Sequence, residues 1–291
     1  MRELTEKIIE ITVSLNTGEP ESPVYEKVTF SGLRIKVAVV GGTMSSQGQL
    51  QASIHGLTPD MMARLTTTGY IRQSNNQHRI LVAAGDKGGV LSTVYTGTIY
   101  SAYCSVQQPI SEFQLLASSA MGADITPVGA SSFKGAVKVS EIMATLAKAA
   151  GYDFEDHGVT AILNNPYFTG TTWEKIARVA RAAGIVYAIN NNRLSIWNDG
   201  AEAKDDVIIS SEPDNVPQMI GTPSVGGSGL SIRTLFYPSF DLTKSYEVKS
   251  SSYPLANGQW TPVSVMHDLE CLMPHGSWFT QVEFKRSGIG A

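Results

Sequence analysis

Few residues in this chain have chemistry to offer, and they are scattered. His267-Asp268 is the first candidate, because an imidazole beside a carboxylate can move a proton. The pair sits in Val263 to Asp268, a run with strand character. Adjacent strand residues point to opposite faces, so the two side chains are not expected to converge. No serine nucleophile elbow accompanies them. His275-Gly276, beside Pro274, reads as a hairpin loop. Glu141, Glu155, Asp156 and Glu174 invite a second reading, the paired carboxylates of a glycosidase. Glu141 and Glu174, however, open two helical runs, where the helix dipole favours an acidic side chain. Gly221 to Gly229 holds several glycines, but lacks GxGxxG or Walker spacing ahead of a helix.

Metal and thiol chemistry fare no better. The histidines His55, His78, His157, His267 and His275 fall into no ligand spacing, and neither CxxC nor HExxH occurs. Cys104 and Cys271 lie far apart in strand-like contexts and read as reduced, buried thiols. No catalytic residue, cofactor or metal is therefore assigned, and the chain is not read as an enzyme.

Composition points toward partners. A chain of 291 residues has room for two or three domains. It is 42% hydrophobic and only 16% charged, which leaves a lightly charged exterior of the kind buried between subunits. A formal net charge of −4 argues against a basic nucleic-acid clamp. The N-terminal MRELTEKIIEITV carries charges among its apolar residues and has no signal-type core. No run reaches the roughly 20 apolar residues needed to cross a bilayer. The expectation is a soluble protein made inside the cell, without a membrane anchor.

Periodicity divides the chain. Ile9, Ile11, Val13 and Leu15 alternate with polar residues, as do Ile35, Val37 and Val39, the period of a half-buried strand. Gln49 to Ile54, Arg79 to Ala84 and Val90 to Ser101 are further strand candidates. Gly41-Gly42, Gly85-Asp86 and Gly88-Gly89 read as turns. Pro59 to Leu65 is the one helical run here, with Thr58 as N-cap, and its Met61 and Met62 should pack on the surrounding strands. After a linker over Thr126 to Val137, the period becomes 3.6. Val139, Ile142, Met143, Leu146 and Ala147 share one helical face, and Gly151 closes that helix. Thr171 and Glu174 have capping-box spacing; Trp173, Ile176, Ala177 and Ala180 form the next stripe, ended by Gly184. Trp173 and Trp197 read as core anchors. Ile185 to Asn190 and Arg193 to Trp197 form a hairpin through Asn191-Asn192. From Val207 alternation returns, with Pro213, Pro217, Pro223, Pro238, Pro254, Pro262 and Pro274 expected between strands or at their ends, and Gly226 to Gly229 as a loop. The class is α+β, mainly β, divided as 1–125 (β), 126–200 (helix-containing) and 201–291 (β).

The order of landmarks then carries a resemblance. Ile220-Gly221-Thr222-Pro223 is followed by Gly229 to Pro238, Tyr246 to Ser250, Val263 to Asp268 and Trp278 to Glu283. Upstream stand Lys138 to Ile142, Gly170 to Glu174 and Leu194-Ser195-Ile196. This series, from near Lys138 to Glu283, resembles the phage baseplate hub family that includes the late control D proteins of contractile tails. The resemblance implies two tube-protein-like β-barrels per subunit, flanking the small α+β module. It implies a homotrimer presenting a pseudo-sixfold ring, with the tail tube protein on one face, the threefold tail spike protein on the other, and other baseplate proteins around it. DNA would pass through the channel without specific binding, and the protein would reside in the virion after assembly in the host cytoplasm. A sixfold distal tail or tube-initiator ring, and a tail-associated cell-wall hydrolase, are the competing readings. No family landmark is found before about residue 125. Trp278 is expected to point inward.

Overall fold

The computed structural model describes residues 5–16, 24–41, 47–67, 78–107, 110–121, 129–200, 203–227 and 229–286. Gly42, residues 126–128 of the expected linker and Ser228 lie outside these. Among the described residues no helix is long and apolar enough to cross a membrane.

The first third supplies seven strands: β1 (Lys7–Asn16), β2 (Tyr25–Phe30), β3 (Arg34–Val40), β4 (Gln49–His55), β5 (Arg79–Asp86), β6 (Ser92–Gln107) and β7 (Ile110–Ser118). Their hydrogen-bonded order is β3-β4-β7-β6-β5-β1-β2, antiparallel throughout. Helix α1 (Pro59–Leu65) starts where Thr58 accepts a hydrogen bond from the Met61 N–H, and Met61 and Met62 pack on the core as expected. Gly85-Asp86 is not a turn. Both residues belong to β5, opposite Ile8 and Lys7, and the turn falls at Gly88-Gly89, where Gly88 has φ +80°.

The middle third is the helical module. Short strands β8 (Ser131–Ser132) and β9 (Ala136–Lys138) lie within the segment expected as plain linker. They pair with β12 (Tyr167–Phe168) and β11 (Ile162–Asn164). Helix α2 (Val139–Ala150) buries the five residues of its apolar stripe and ends on left-handed Gly151. Helix α3 (Thr172–Ala183) has the full Thr171–Glu174 capping box and ends on left-handed Gly184. Both pack on a three-stranded sheet of β10 (Asp153–Asp156), β14 (Arg193–Asn198) and β13 (Ile185–Asn190), the last two joined by positive-φ Asn191 and Asn192.

The last third adds β15 (Ala203–Ser210), β16 (Ser224–Gly226), β17 (Gly229–Leu235), β18 (Lys244–Lys249), β19 (Gly258–Glu270) and β20 (Trp278–Arg286). These close on themselves. β15 pairs with β18, β18 with β19, β19 with β20 and β20 with β17. The circuit is completed by Gln218 to Ile220: Met219 N–H donates to Ser210 O at 2.7 Å, Ile220 N–H to Arg233 O at 2.7 Å, and Leu235 N–H to Gln218 O at 3.0 Å. The described residues are thus mainly β with three α-helices, an α+β fold. Pro262 departs from expectation by lying inside β19. It sits where the ladder to β20 shifts by a residue, a bulge where the missing N–H does least harm.

Three apolar clusters fill the chain. The first lies among β1 to β7, the second between α2, α3 and one face of the β13–β14 hairpin, and the third joins the closed ring to Val186, Ala188 and Trp197 on the hairpin's other face. In the first, Ile9, Ile11, Ile35, Val37, Ile54, Val82, Phe113 and Leu115 are all fully inaccessible. Burial that complete on one side of neighbouring strands needs cover from above. Among the described residues that cover comes from α1 and from Phe236, Leu269, Cys271 and Trp278, and the rest of the cluster is drawn chiefly from β1 to β7 themselves.

Candidate functional site

The structure does not gather the residues with catalytic potential. His267 is buried while Asp268 lies half-exposed on the opposite face of β19, as strand geometry requires. Glu174 is spent on the capping box, and Glu141 is exposed in the first turn of α2. Glu155 pairs with Arg193 at 3.0 Å, and Asp156 accepts the Val159 N–H at 2.8 Å. Cys271 is buried with its thiol toward Leu33 O at 3.4 Å. Cys104 is half-buried, 3.7 Å from the Met62 sulfur. Among the described residues no group of three or more His, Cys, Asp and Glu could hold a metal ion.

What the fold does build is a shared sheet. Strand β19 pairs with β20 along nearly its whole length, but its other side is split. Gly258 to Trp260 pair with β18 of the closed ring, and Met266 to Glu270 pair with β3 of the first lobe. Val265 and Leu269 lie on the same face, yet Val265 belongs to the third cluster and Leu269 to the first. β20 repeats the division, with Val282 and Phe284 in the third cluster and Trp278 against the first. In β17, Leu230 and Ile232 join the third cluster, and Phe236 just beyond the strand joins the first. Trp278 does point inward, but it is half-buried and packs on the first lobe's core, edge-on to Phe236 at 5.5 Å.

Between the two cores runs a buried polar row. His267 stands opposite Thr280, which stands opposite Thr234. The two threonines are fully inaccessible and His267 is 7% exposed. His267 Nδ1 lies 2.9 Å from Thr280 Oγ1, and Thr234 Oγ1 donates to Thr280 O at 3.3 Å. Phe236 meets the imidazole edge-on at 5.6 Å. Burial in these surroundings pushes the His267 pKa down to about 4.

The middle module plugs in behind this row. Val186, Ala188 and Trp197 carry it into the third core, and Ser119 adds a polar connection: its hydroxyl donates to Ile189 O at 3.0 Å and accepts the Gly48 N–H at 2.9 Å. Its carbonyl accepts the Tyr152 hydroxyl at 3.2 Å. Gly41 N–H donates to Val265 O at 2.8 Å. A cavity of about 80 Å³ remains at this meeting point, lined by residues of all three parts, including Tyr95, Ser119, Asn190, Leu242 and His267.

Among the described residues, the side of β4-β3-β19-β20-β17 away from both cores carries a set of outward side chains. Gln49, Gln51, Lys36, Ala38, Val40, Met266, Asp268, Gln281, Glu283 and Arg233 point outward by strand alternation. Its cations are tempered: Arg34 pairs with Glu270 at 2.8 Å, and Arg233 lies 3.8 Å over the Phe279 ring. Nothing in the sequence signalled this surface, since it depends on which strands become neighbours.

Comparison with known proteins agrees with this architecture. A model of the family described as baseplate hub gp41 matches residues 8–273. The 43 kDa tail protein of prophage MuSo2 from Shewanella oneidensis superposes with a TM-score of 0.63 at 12% identity, over 96% of this chain and 97% of that one. A tail protein from Neisseria meningitidis gives 0.59 at 11% identity, over 96% and 97%. The E. coli c3393 protein gives 0.61 at 9% identity, over 94% of this chain and 76% of that one. It is described as a type VI secretion component with structural similarity to the phage T4 tail proteins gp27 and gp5. No curated protein matches in a sequence search.

Proposed function

The chain belongs to the baseplate hub gp41 family, and from that premise we propose that three copies form a hub joining the sixfold tail tube to the threefold spike. A structural role in the phage tail baseplate follows from the family itself. The finer reading rests on one observation, the strand β19 that serves two cores at once and sets two β-lobes side by side behind one surface. A subunit offering two such lobes lets a threefold ring meet a sixfold neighbour, which a one-lobed subunit cannot do. The division into 1–125, 126–200 and 201–291 names the lobes and the module between them, with β17, β19 and β20 reaching across.

In this reading the outer face of the shared sheet turns toward the axial bore. Its carboxylates Asp268, Glu270 and Glu283 are interspersed with its cations Arg34, Lys36, Arg233 and Lys285, of which Arg34 and Lys285 are paired with Glu270 and Asp199, so DNA would find no continuous cationic track to hold it. Each phosphate contact adds a salt-dependent attraction, and a passage should avoid accumulating them. The hub would act without catalysis. The related E. coli protein's described similarity to both gp27 and gp5 favours a position beside the spike.

Mass measurement and electron microscopy of the purified protein test the reading. Threefold particles with six peripheral lobes support it. Particles of six copies would favour a distal-tail or initiator ring. Release of peptidoglycan fragments, lost on Glu174→Gln, would favour the hydrolase.

A further inference from the structure

The polar row between the cores has no part in the role just argued. A sheet shared by two apolar cores could have been apolar throughout, yet at the boundary it carries His267, Thr280 and Thr234 in register. Two features set His267 apart. It lines the cavity of about 80 Å³ at which the first lobe, the middle module and the closed ring meet. It is also adjacent to contacts that seat one part on another, Gly41 to Val265 and Ser119 to Ile189. We propose that this row is an acid-released latch: protonation of His267 loosens the seam where the first lobe, the middle module and the closed ring meet, opening the Gly41–Val265 and Ser119–Ile189 contacts before the strands of either core unpair.

The surroundings explain why a charge there would not be tolerated. Thr280 faces the ring from β20, Val39 from β3 and Phe236 from beyond β17. Across the cavity stand Tyr95, Ser119 and Asn190. Among the described residues Tyr95 is the only other titratable group in the cavity lining; its hydroxyl donates to Gly48 O at 3.3 Å, and burial raises its pKa, so it stays neutral. Asp268 is on the opposite face of β19, and Asp241, beside the lining residue Leu242, is held by Thr243 at 2.7 Å. Among the described residues no carboxylate lines the cavity to receive a proton-bearing imidazole.

The direction with pH follows. An opened seam exposes an imidazole with its ordinary affinity for protons, whereas the closed seam holds it at about 4. The latch is therefore at full strength above pH 6.5, weakens as the pH falls, and has lost this contribution below about 4. Over that window the opening equilibrium should rise by roughly 100-fold or more.

Hydrogen exchange corrected for intrinsic rates, compared at pH 7 and pH 4.5 on the full chain, tests this. The expected result is selective loss of protection at Gly41 and Ser119, with β1 and β5 still protected. His267→Gln, which keeps a polar contact to Thr280 but takes up no proton, should remove that pH response. An equal response in both proteins would overturn the latch. Should the variant fail to fold, NMR titration of the wild-type imidazole decides: a pKa near 4 supports the proposal, and one near 6.5 sinks it.

Discussion

The two β-lobes use the same three strands in opposite ways. The second lobe takes β17, β20 and β19, adds β15, β18 and the Gln218 to Ile220 segment, and closes. The first lobe takes only the far ends of these strands, and among the described residues its ladder finishes at β2, paired to β1. One lobe thus closes except for the three-residue β16 beside β17, while the other leaves a six-residue strand at the margin. That margin is dressed with charge, as exposed edges commonly are. Glu26 pairs with Arg64 at 2.6 Å, Lys27 is exposed, and Arg79 lies 5.7 Å over the Tyr25 ring. The lobes share three strands but close them differently, so each has its own sensitivity to mutation.

Gly229→Ala should separate them most sharply. At φ +129° the residue adopts a conformation that L side chains avoid, and an added Cβ would press against the Phe284 carbonyl oxygen. A cost of about 3 kcal/mol or more is expected, read as a lowered midpoint in chemical denaturation. Because β19 serves both cores, the loss should appear as one cooperative transition; two separate transitions would break the shared-sheet account. Trp278→Ala comes next, at about 2–4 kcal/mol, less than a fully buried tryptophan because the ring is only half-covered. Exchange protection should fall in the first lobe, whose core the ring touches, more than in the closed ring.

Ser119→Ala sharpens the relation of the first lobe to the middle module. It removes both hydroxyl contacts, leaving the buried Gly48 N–H without that partner, and should cost about 1–3 kcal/mol. Faster proteolysis between the first lobe and α2 would check it. The smallest effect belongs to Thr171→Ala, about 1 kcal/mol from the lost cap, measured by thermal melting. It should leave both β-lobes unaltered by exchange.

Local structure was the readable part of this sequence. Capping residues and turn chemistry are contained in a few neighbours, which is why Thr58, the Thr171–Glu174 box, Gly151, Gly184 and Asn191-Asn192 appear where their types require. β7 was legible but overlooked: Phe113, Leu115 and Ala117 carry the period of two and are fully buried. β2 was not legible, because as a margin strand it buries one residue and shows no alternation. Lys175 also ran against expectation. It sits fully buried within α3, its ammonium donating to Gly129 O, at a position where the stripe forecast nothing. The shared sheet depends on pairings such as Val39 with His267, more than two hundred positions apart, and no local pattern encodes which strand meets which. The resemblance named the family correctly, but gave no hint that one strand would belong to two cores.

The central claim is that one subunit supplies two of six positions around an axis. Electron cryo-microscopy of the purified assembly tests it most directly. The account predicts three copies, six β-lobes in a ring, and the outer face of β4-β3-β19-β20-β17 turned to the bore. A ring of six copies, or lobes whose shared sheet faces outward into solvent, would contradict it.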